Sequence, residues 1–263
     1  MHTDMHAQPL AARRFDLVLF DLGNTLIYFD GDWDVVLPRC YRTLAHSLVE
    51  AGVHLQPHPF ADEFGRRVIA AWENRTASNI EHTVESILTQ TLHDFGVRHI
   101  PLAQLRTAID AMFAVSQAHW QVEDDTFAVL TQLRQQGYAL GIISNASDNR
   151  DVQMLVDKAG IRHFFDQIIV SAAVGIRKPD AYIFRLALDH FNAAPQRAVM
   201  VGDTLSADVL GAHNSGIASV WITRRADTLD NHTHRPRITP HAVINALAEL
   251  PALLANWQDS AAQ

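Results

Sequence analysis

Short apolar runs recur along this chain, and several stop abruptly at a polar residue. The first, Phe15-Asp-Leu-Val-Leu-Phe20, gives way to Asp21 and then to Gly23-Asn24-Thr25. Apolar runs of this length bounded by turn residues predict buried strands. Ala139–Ile143, Ile168–Val170, Ala198–Val201 and Ala218–Ile222 repeat the pattern. Between them, Phe127–Gly137, Asp148–Ala159, Asp180–Phe191 and Asp208–Ser215 carry helical spacing. Asp148 suits the N-cap of its helix, and Asp151 places an acid in the first turn, where the helix dipole favours it. Near-continuous apolar strands alternating with helices predict a parallel sheet covered on both faces. Thr223–Pro240 is polar and turn-rich and predicts an exposed loop, followed by a short strand at His241–Ile244 and a closing helix over Ala246–Trp257.

From Trp33 to Trp120 the rhythm is different. Leu37, Tyr41, Leu44 and Leu48 recur at helical spacing before Gly52; so do Phe64, Val68, Ala71 and Trp72. Val84, Ile87, Leu88, Leu92 and Phe95 precede Gly96, and Pro101 opens a helix carrying Leu102, Leu105, Ile109, Met112 and Phe113 on one face. No strand pattern interrupts them. The chain therefore divides into a discontinuous α/β core, 1–30 and 121–263, and a helical insert, 31–120. An insert directly after the first strand can form a lid over that strand's end.

Length, 263 residues, suffices for such a core plus insert. Net charge is −8, against a nucleic-acid or anionic-membrane partner, either of which calls for a basic face. Cys40 is the only cysteine, which rules out an intrachain disulfide and thiolate clusters. Met1–Arg14 is polar, without a signal-peptide apolar run, and no window reaches membrane-spanning length, so a cytoplasmic protein is expected. The histidines are scattered; His2, His6, His232 and His234 mark ends and loops rather than a metal site.

Asp21, Ser144, Lys178 and Asp203 fall at or just beyond the carboxyl ends of predicted strands. In a parallel sheet those ends share one edge, where open α/β sheets bind their ligands. With Phe20-Asp21-Leu-Gly-Asn-Thr25-Leu26, Ile143-Ser144-Asn145, Arg177-Lys178-Pro179-Asp180 and Gly202-Asp203-Thr-Leu-Ser-Ala-Asp208 in that order, the chain resembles the haloacid dehalogenase superfamily, in its helical-cap phosphatase branch. The resemblance implies a Rossmann-like, doubly wound parallel sheet with an inserted α-helical cap. It also implies a hydrolase of small-molecule phosphate monoesters, sugar phosphates among them. Asp21 would be the nucleophile, forming an aspartyl-phosphate that water then hydrolyses. Mg²⁺ would be held by Asp21, the Gly23 carbonyl and Asp203, with Asp208 ordering a bound water. Asp21, Ser144 and Lys178 make up the implied catalytic set. Asn24, Thr25, Ser144, Asn145 and Lys178 make up the implied substrate-binding set, with Thr25 also orienting the loop.

Gly23 departs from the family pattern, in which most phosphatases carry a second Asp at this position. The backbone carbonyl survives the change, but the carboxyl that would protonate the leaving oxygen does not. Such acid–base help contributes about 10²–10⁴-fold. Acyl, aryl and anomeric sugar phosphates need less of it, and Asp30 or Asp32 near the cap junction are candidate substitutes. Two alternatives share the missing acid: a metal-free haloacid dehalogenase and a weakly catalytic phosphate-binding protein. The dehalogenase leaves the acids Asp203 and Asp208 without a purpose. A Schiff-base mechanism fails because Lys158 and Lys178 are the only lysines and neither lies in the insert. Trp33, Arg39, Arg66, Arg67, Trp72 and Arg75 are the insert's candidates for touching the rest of the substrate. Oligomeric state is not legible in the sequence.

Overall fold

The computed structural model describes residues 13–73 and 78–257. Arg75, His2 and His6 lie outside them. β1 (Leu17–Phe20) leads through a tight turn to β2 (Ile27–Phe29). Helices α1 (Trp33–Glu50), α2 (Pro57–Glu73), α3 (Val84–Asp94) and α4 (Leu102–Gln117) follow, and β3 (Trp120–Val122) returns the chain. Next come α5 (Thr126–Gln135), β4 (Ala139–Ser144), α6 (Asn149–Lys158), β5 (Gln167–Val170), the single turn α7 (Ser171–Val174) and α8 (Ala181–Phe191). β6 (Ala198–Gly202) runs into a π-helical turn, Leu205–Val209, continued by α9 (Leu210–Asn214). β7 (Ala218–Ile222), α10 (Leu229–His234), β8 (Ala242–Ile244) and α11 (Leu250–Ala255) close the fold.

The main sheet has the order β5-β4-β1-β6-β7-β8, and every pairing in it is parallel. β1 sits inside it, with Phe20 opposite Ile142 on one side and Val201 on the other. All four of its residues are buried, as a strand covered on both faces requires. Successive side chains of a strand point to opposite faces. Accordingly, Val18 and Phe20 pack with Leu130, Leu133, Val156 and Leu250, while Leu17 and Leu19 pack with Ile183, Phe184, Leu188 and Ala212.

Helices α1 to α4 keep a core of their own. Leu44, Leu48, Phe60, Phe64, Leu88 and Ile109 are fully buried against one another. Each such side chain contributes about 1.5–3 kcal/mol relative to exposure, enough together to hold a helical layer. The Asp32 side chain caps α1 by accepting from the Asp34 N–H, and Thr83 caps α3 in the same way.

Among the described residues, three sets of contacts tie this layer to the sheet domain. The β2–β3 ribbon is antiparallel, with Phe29 opposite Trp120. The chain before α3 docks on the loop after α7: Ile80 bridges Ile176, the Glu81 N–H donates to the Gly175 carbonyl, and the Arg177 N–H donates to the Asn79 carbonyl. Along the α4–α6 seam, Arg106 pairs with Asp148 at 2.6 Å and Gln117 Nε2 donates to Asp151 at 2.8 Å.

Three sequence-based expectations change. The ribbon was not anticipated, because three-residue strands leave no measurable alternation. The helix expected at Asp208 begins one turn earlier, at Leu205. Thr223–Pro240 is not a loose loop: Arg224 and Arg225 pair with Glu123 and Asp125, Arg225 lies over the Tyr28 ring, and Asn231 of α10 is buried. Asp227, His232 and Arg237 do face solvent, as a polar stretch predicts, while these arginines and Asn231 tie the segment to the core. Among the described residues, no helix is long and apolar enough to cross a membrane.

Candidate active site

The carboxyl ends of β1, β4 and β6 place Asp21, Ser144 and Asp203 on one edge, as their order in the sheet dictates. Asp21 extends the ladder by one bond, its N–H donating to the Val201 carbonyl at 2.9 Å. The turn that follows is closed by the Leu26 and Ile27 N–H groups, both donating to the Leu22 carbonyl. Asn24 sits in the left-handed region at φ 58°, a conformation asparagine tolerates better than most residues.

Lys178, 2% exposed, stands at the centre. Its ammonium donates to Asp21 Oδ1 at 2.6 Å and to the Ile143 carbonyl at 2.6 Å, and pairs with Asp208 Oδ1 at 2.7 Å. Asn145, expected to bind substrate, lines the cavity, and its amide also braces the lysine's backbone. Oδ1 accepts from the Lys178 N–H at 2.9 Å and Nδ2 donates to the Lys178 carbonyl at 3.0 Å. Thr25 departs from the substrate-binding expectation. It is fully buried and outside the cavity wall, and its hydroxyl finds no hydrogen-bond partner among the described residues. The Ser144 side chain does line the cavity.

Carboxylate oxygens of Asp21, Asp203 and Asp208 lie within 4.8 Å of one another. Burial pushes the Asp21 carboxyl up to about 6, with Asp208 adding to the rise and Lys178 opposing it. Asp203 is raised too, by burial and then by the Asp21 and Asp208 charges. Burial pulls Lys178 down, but Asp208 and Asp21 outweigh it and its ammonium is held more firmly than usual. Three acids around one ammonium leave negative charge uncompensated, and hard oxygen donors suit a cation such as Mg²⁺. The donor set therefore fits. Asp208 is already engaged through both oxygens, Oδ1 on Lys178 and Oδ2 accepting from the Thr204 N–H at 3.0 Å. A Cβ at Gly202 would stand 2.3 Å from the Asp208 carboxyl, so only glycine lets that side chain pack there.

A cavity of about 730 Å³ opens over these groups, with Trp72 and Asn79 contributed from the helical layer and Asp230 and His234 from α10. Of the expected insert contacts, only Trp72 reaches it among the described residues. Arg66 and Arg67 pair with Glu63, Trp33 stacks on Phe29 at 3.5 Å, and Arg39 is exposed. Asp30 and Asp32 are also exposed and do not line the cavity, so neither is placed to replace a carboxyl at Gly23. A side chain at Gly23 would instead meet Trp120, whose Cη2 is 3.3 Å from the Cβ position.

Three contributors escaped the sequence reading. Asp151 lines the cavity and burial pushes its carboxyl up to about 7, although its position in a first helical turn suggested only a dipole partner. Trp120 served only to mark a boundary. Asn231 lay in the stretch read as a loop.

A model of the haloacid dehalogenase-like hydrolase family matches residues 15–216. The chain belongs to that family. This haloacid dehalogenase-like hydrolase is 28% identical over 239 residues to a glyceraldehyde 3-phosphate phosphatase of Methanothermobacter thermautotrophicus, covering 90% of this chain and 98% of the relative. A phosphatase structure from Thermococcus onnurineus aligns over 91% of this chain and 98% of its own with a TM-score of 0.60, at 26% identity. A 2-haloacid dehalogenase from Pseudomonas syringae aligns over 93% of this chain and 100% of its own, with a TM-score of 0.64. At 23% identity, that last likeness concerns the fold alone.

Proposed function

We propose that this hydrolase cleaves small-molecule phosphate monoesters, sugar phosphates included, with Mg²⁺ as cofactor and Asp21 as nucleophile. The convergence of Asp21, Asp203 and Asp208 around Lys178 carries the reading. A metal-free dehalogenase has no use for the two further acids. The phosphatase relatives support the same substrate class.

In this reading residues 1–30 and 121–263 form the catalytic domain, and 31–120 a cap over its cavity. Asp21, the Gly23 carbonyl and Asp203 are the protein oxygens for the cation, and Asp208 orders its water. When bound, the cation offsets the repulsion between carboxylate and phosphate and withdraws charge from the phosphoryl oxygens. Asp21 attacks phosphorus in line; the ester P–O bond breaks and its electron pair leaves with the alcohol oxygen. Water then attacks the aspartyl-phosphate, releasing inorganic phosphate and restoring the carboxylate. Lys178 holds Asp21 and neutralises charge as a compact ammonium. The Ser144 hydroxyl and the backbone N–H groups after Asp21 bind the transferring group.

Because position 23 has no carboxyl, esters with good leaving groups should turn over best. The test is a panel of sugar, acyl and aryl phosphates with Mg²⁺ and with chelator. Mg²⁺-dependent phosphate release, lost in Asp21→Asn, is the expected result. Turnover retained in Asp21→Asn, or metal-independent halide release from a 2-haloacid, would overturn it.

A further inference from the structure

Asn231 lies beyond the segment that the family model matches, in a stretch whose composition predicts only a solvent loop. Yet it is 3% exposed. Nδ2 donates to the carbonyls of Asp203 and Ala226, both at 2.9 Å, and Oδ1 accepts from the Leu205 N–H at 2.8 Å. Two carbonyls on one side and an N–H on the other fix which end of the amide is which. The Asp203 carbonyl takes a second bond, from Trp221 Nε1 at 2.8 Å.

These bonds fall where the backbone has no ladder or helix partner. β6 ends at Gly202 and the π-helical turn begins at Leu205, so the peptide groups flanking Thr204 belong to neither ladder nor helix. The same short loop touches both acids, since the Thr204 hydroxyl donates to Asp203 Oδ1 at 3.2 Å and the Thr204 N–H to Asp208 Oδ2. A shift of this loop would carry the Asp203 carboxylate away from Asp21. Buried peptide groups without partners are costly, so an amide that satisfies both flanking groups at once holds the loop in one place.

We propose that Asn231 is a positioning residue: from α10 it clamps the Asp203–Leu205 backbone and thereby sets the Asp203 carboxylate for a divalent cation. The inference rests on the cation assigned above. Groups one shell out from a metal change its affinity by about 10–100-fold when removed.

The probe is Mg²⁺ itself, titrated calorimetrically into the substrate-free full chain, alongside thermal unfolding. Asn231→Ala should weaken Mg²⁺ binding by about tenfold or more, with the KM for an aryl phosphate at saturating Mg²⁺ little changed. Thr228→Ala is the control. It removes the N-cap of α10, whose hydroxyl accepts from the Asn231 N–H at 3.3 Å, without touching Asp203. It should lower the unfolding temperature and leave Mg²⁺ affinity as it was. If Asn231→Ala does not fold, Trp221→Phe removes the other donor to the Asp203 carbonyl and should also weaken Mg²⁺ binding; unchanged affinity there refutes the clamp. A folded Asn231→Ala that binds Mg²⁺ like wild type also overturns the proposal, as does a Thr228→Ala that loses as much affinity. A wild-type protein that binds no Mg²⁺ overturns the cation reading and the proposal with it, and that result is visible before any variant is compared.

Discussion

Asp151 lets burial electrostatics be measured apart from catalysis. Its Oδ1 accepts from Gln117 Nε2 at 2.8 Å across the α4–α6 seam. Burial raises its pKa most, Gln117 lowers it, Asp148 raises it, Arg106 lowers it and Asp110 raises it, leaving the carboxyl at about 7 against an ordinary 3.8. Between those values the folded protein holds a proton that the unfolded chain has released. The native state then binds more protons, so its stability falls as pH rises through that window. Three units at about 1.4 kcal/mol each set a ceiling of about 4 kcal/mol. Residual contact with solvent and relaxation reduce this to about 2 kcal/mol. Asp151→Asn keeps an acceptor for Gln117 and carries no charge. Urea unfolding of both proteins in chelator, from about pH 4 to pH 8, isolates the group, because Asp21 and Asp203 titrate identically in each. The two should be nearly equal at the acid end, with Asp151→Asn about 2 kcal/mol more stable at the alkaline end. A difference that does not vary with pH would refute the reasoning.

Three further substitutions probe the centre. Lys178→Met should abolish phosphatase turnover and cost about 3–5 kcal/mol at pH 8 in metal-free protein, because it strands buried carboxylates; the cost should shrink towards pH 5 as Asp21 takes up a proton, and a pH-independent loss under 1 kcal/mol in urea unfolding would be the contrary result. Asn145→Ala removes both hydrogen bonds to the lysine's backbone, about 1–3 kcal/mol in sum, and should lower kcat about tenfold with little change in KM; steady-state kinetics showing a raised KM at unchanged kcat would place its main effect on substrate binding instead. Gly23→Asp combined with Trp120→Ala supplies a carboxyl and the room for it, and should raise turnover of alkyl phosphates by up to about 10²-fold while leaving aryl phosphates nearly unchanged; equal effects on both ester classes would show that leaving-group protonation is not what position 23 lacks.

The sheet was legible because β1, β4, β6 and β7 are almost continuously apolar, with Ser219 the one polar residue inside a run, and because acids or hydroxyls stop them abruptly. Helical spacing was equally plain in α1 to α4, each of which buries one face in a shared core. What escaped depends on partners distant in sequence. Asn145 and Lys178 are 33 residues apart, and Asn231 reaches 28 residues back to Asp203. No local pattern distinguishes a polar side chain that will meet a buried carbonyl from one that will meet water. The same ambiguity misdirected the expectation for Asp30 and Asp32, which were near the junction in sequence but stand outside the cavity. Arg66 and Arg67 likewise satisfy Glu63, their neighbour on the same helix.

The docking of Asn79 and Glu81 on the loop after α7 ends one residue short of Lys178, since Arg177 itself donates to the Asn79 carbonyl. The helical layer cannot swing about its two-stranded tether without first peeling away that backbone pairing. Doing so tugs on the segment that presents the ammonium to Asp21. The brace on the helical layer and the placing of the ammonium thus share one stretch of backbone.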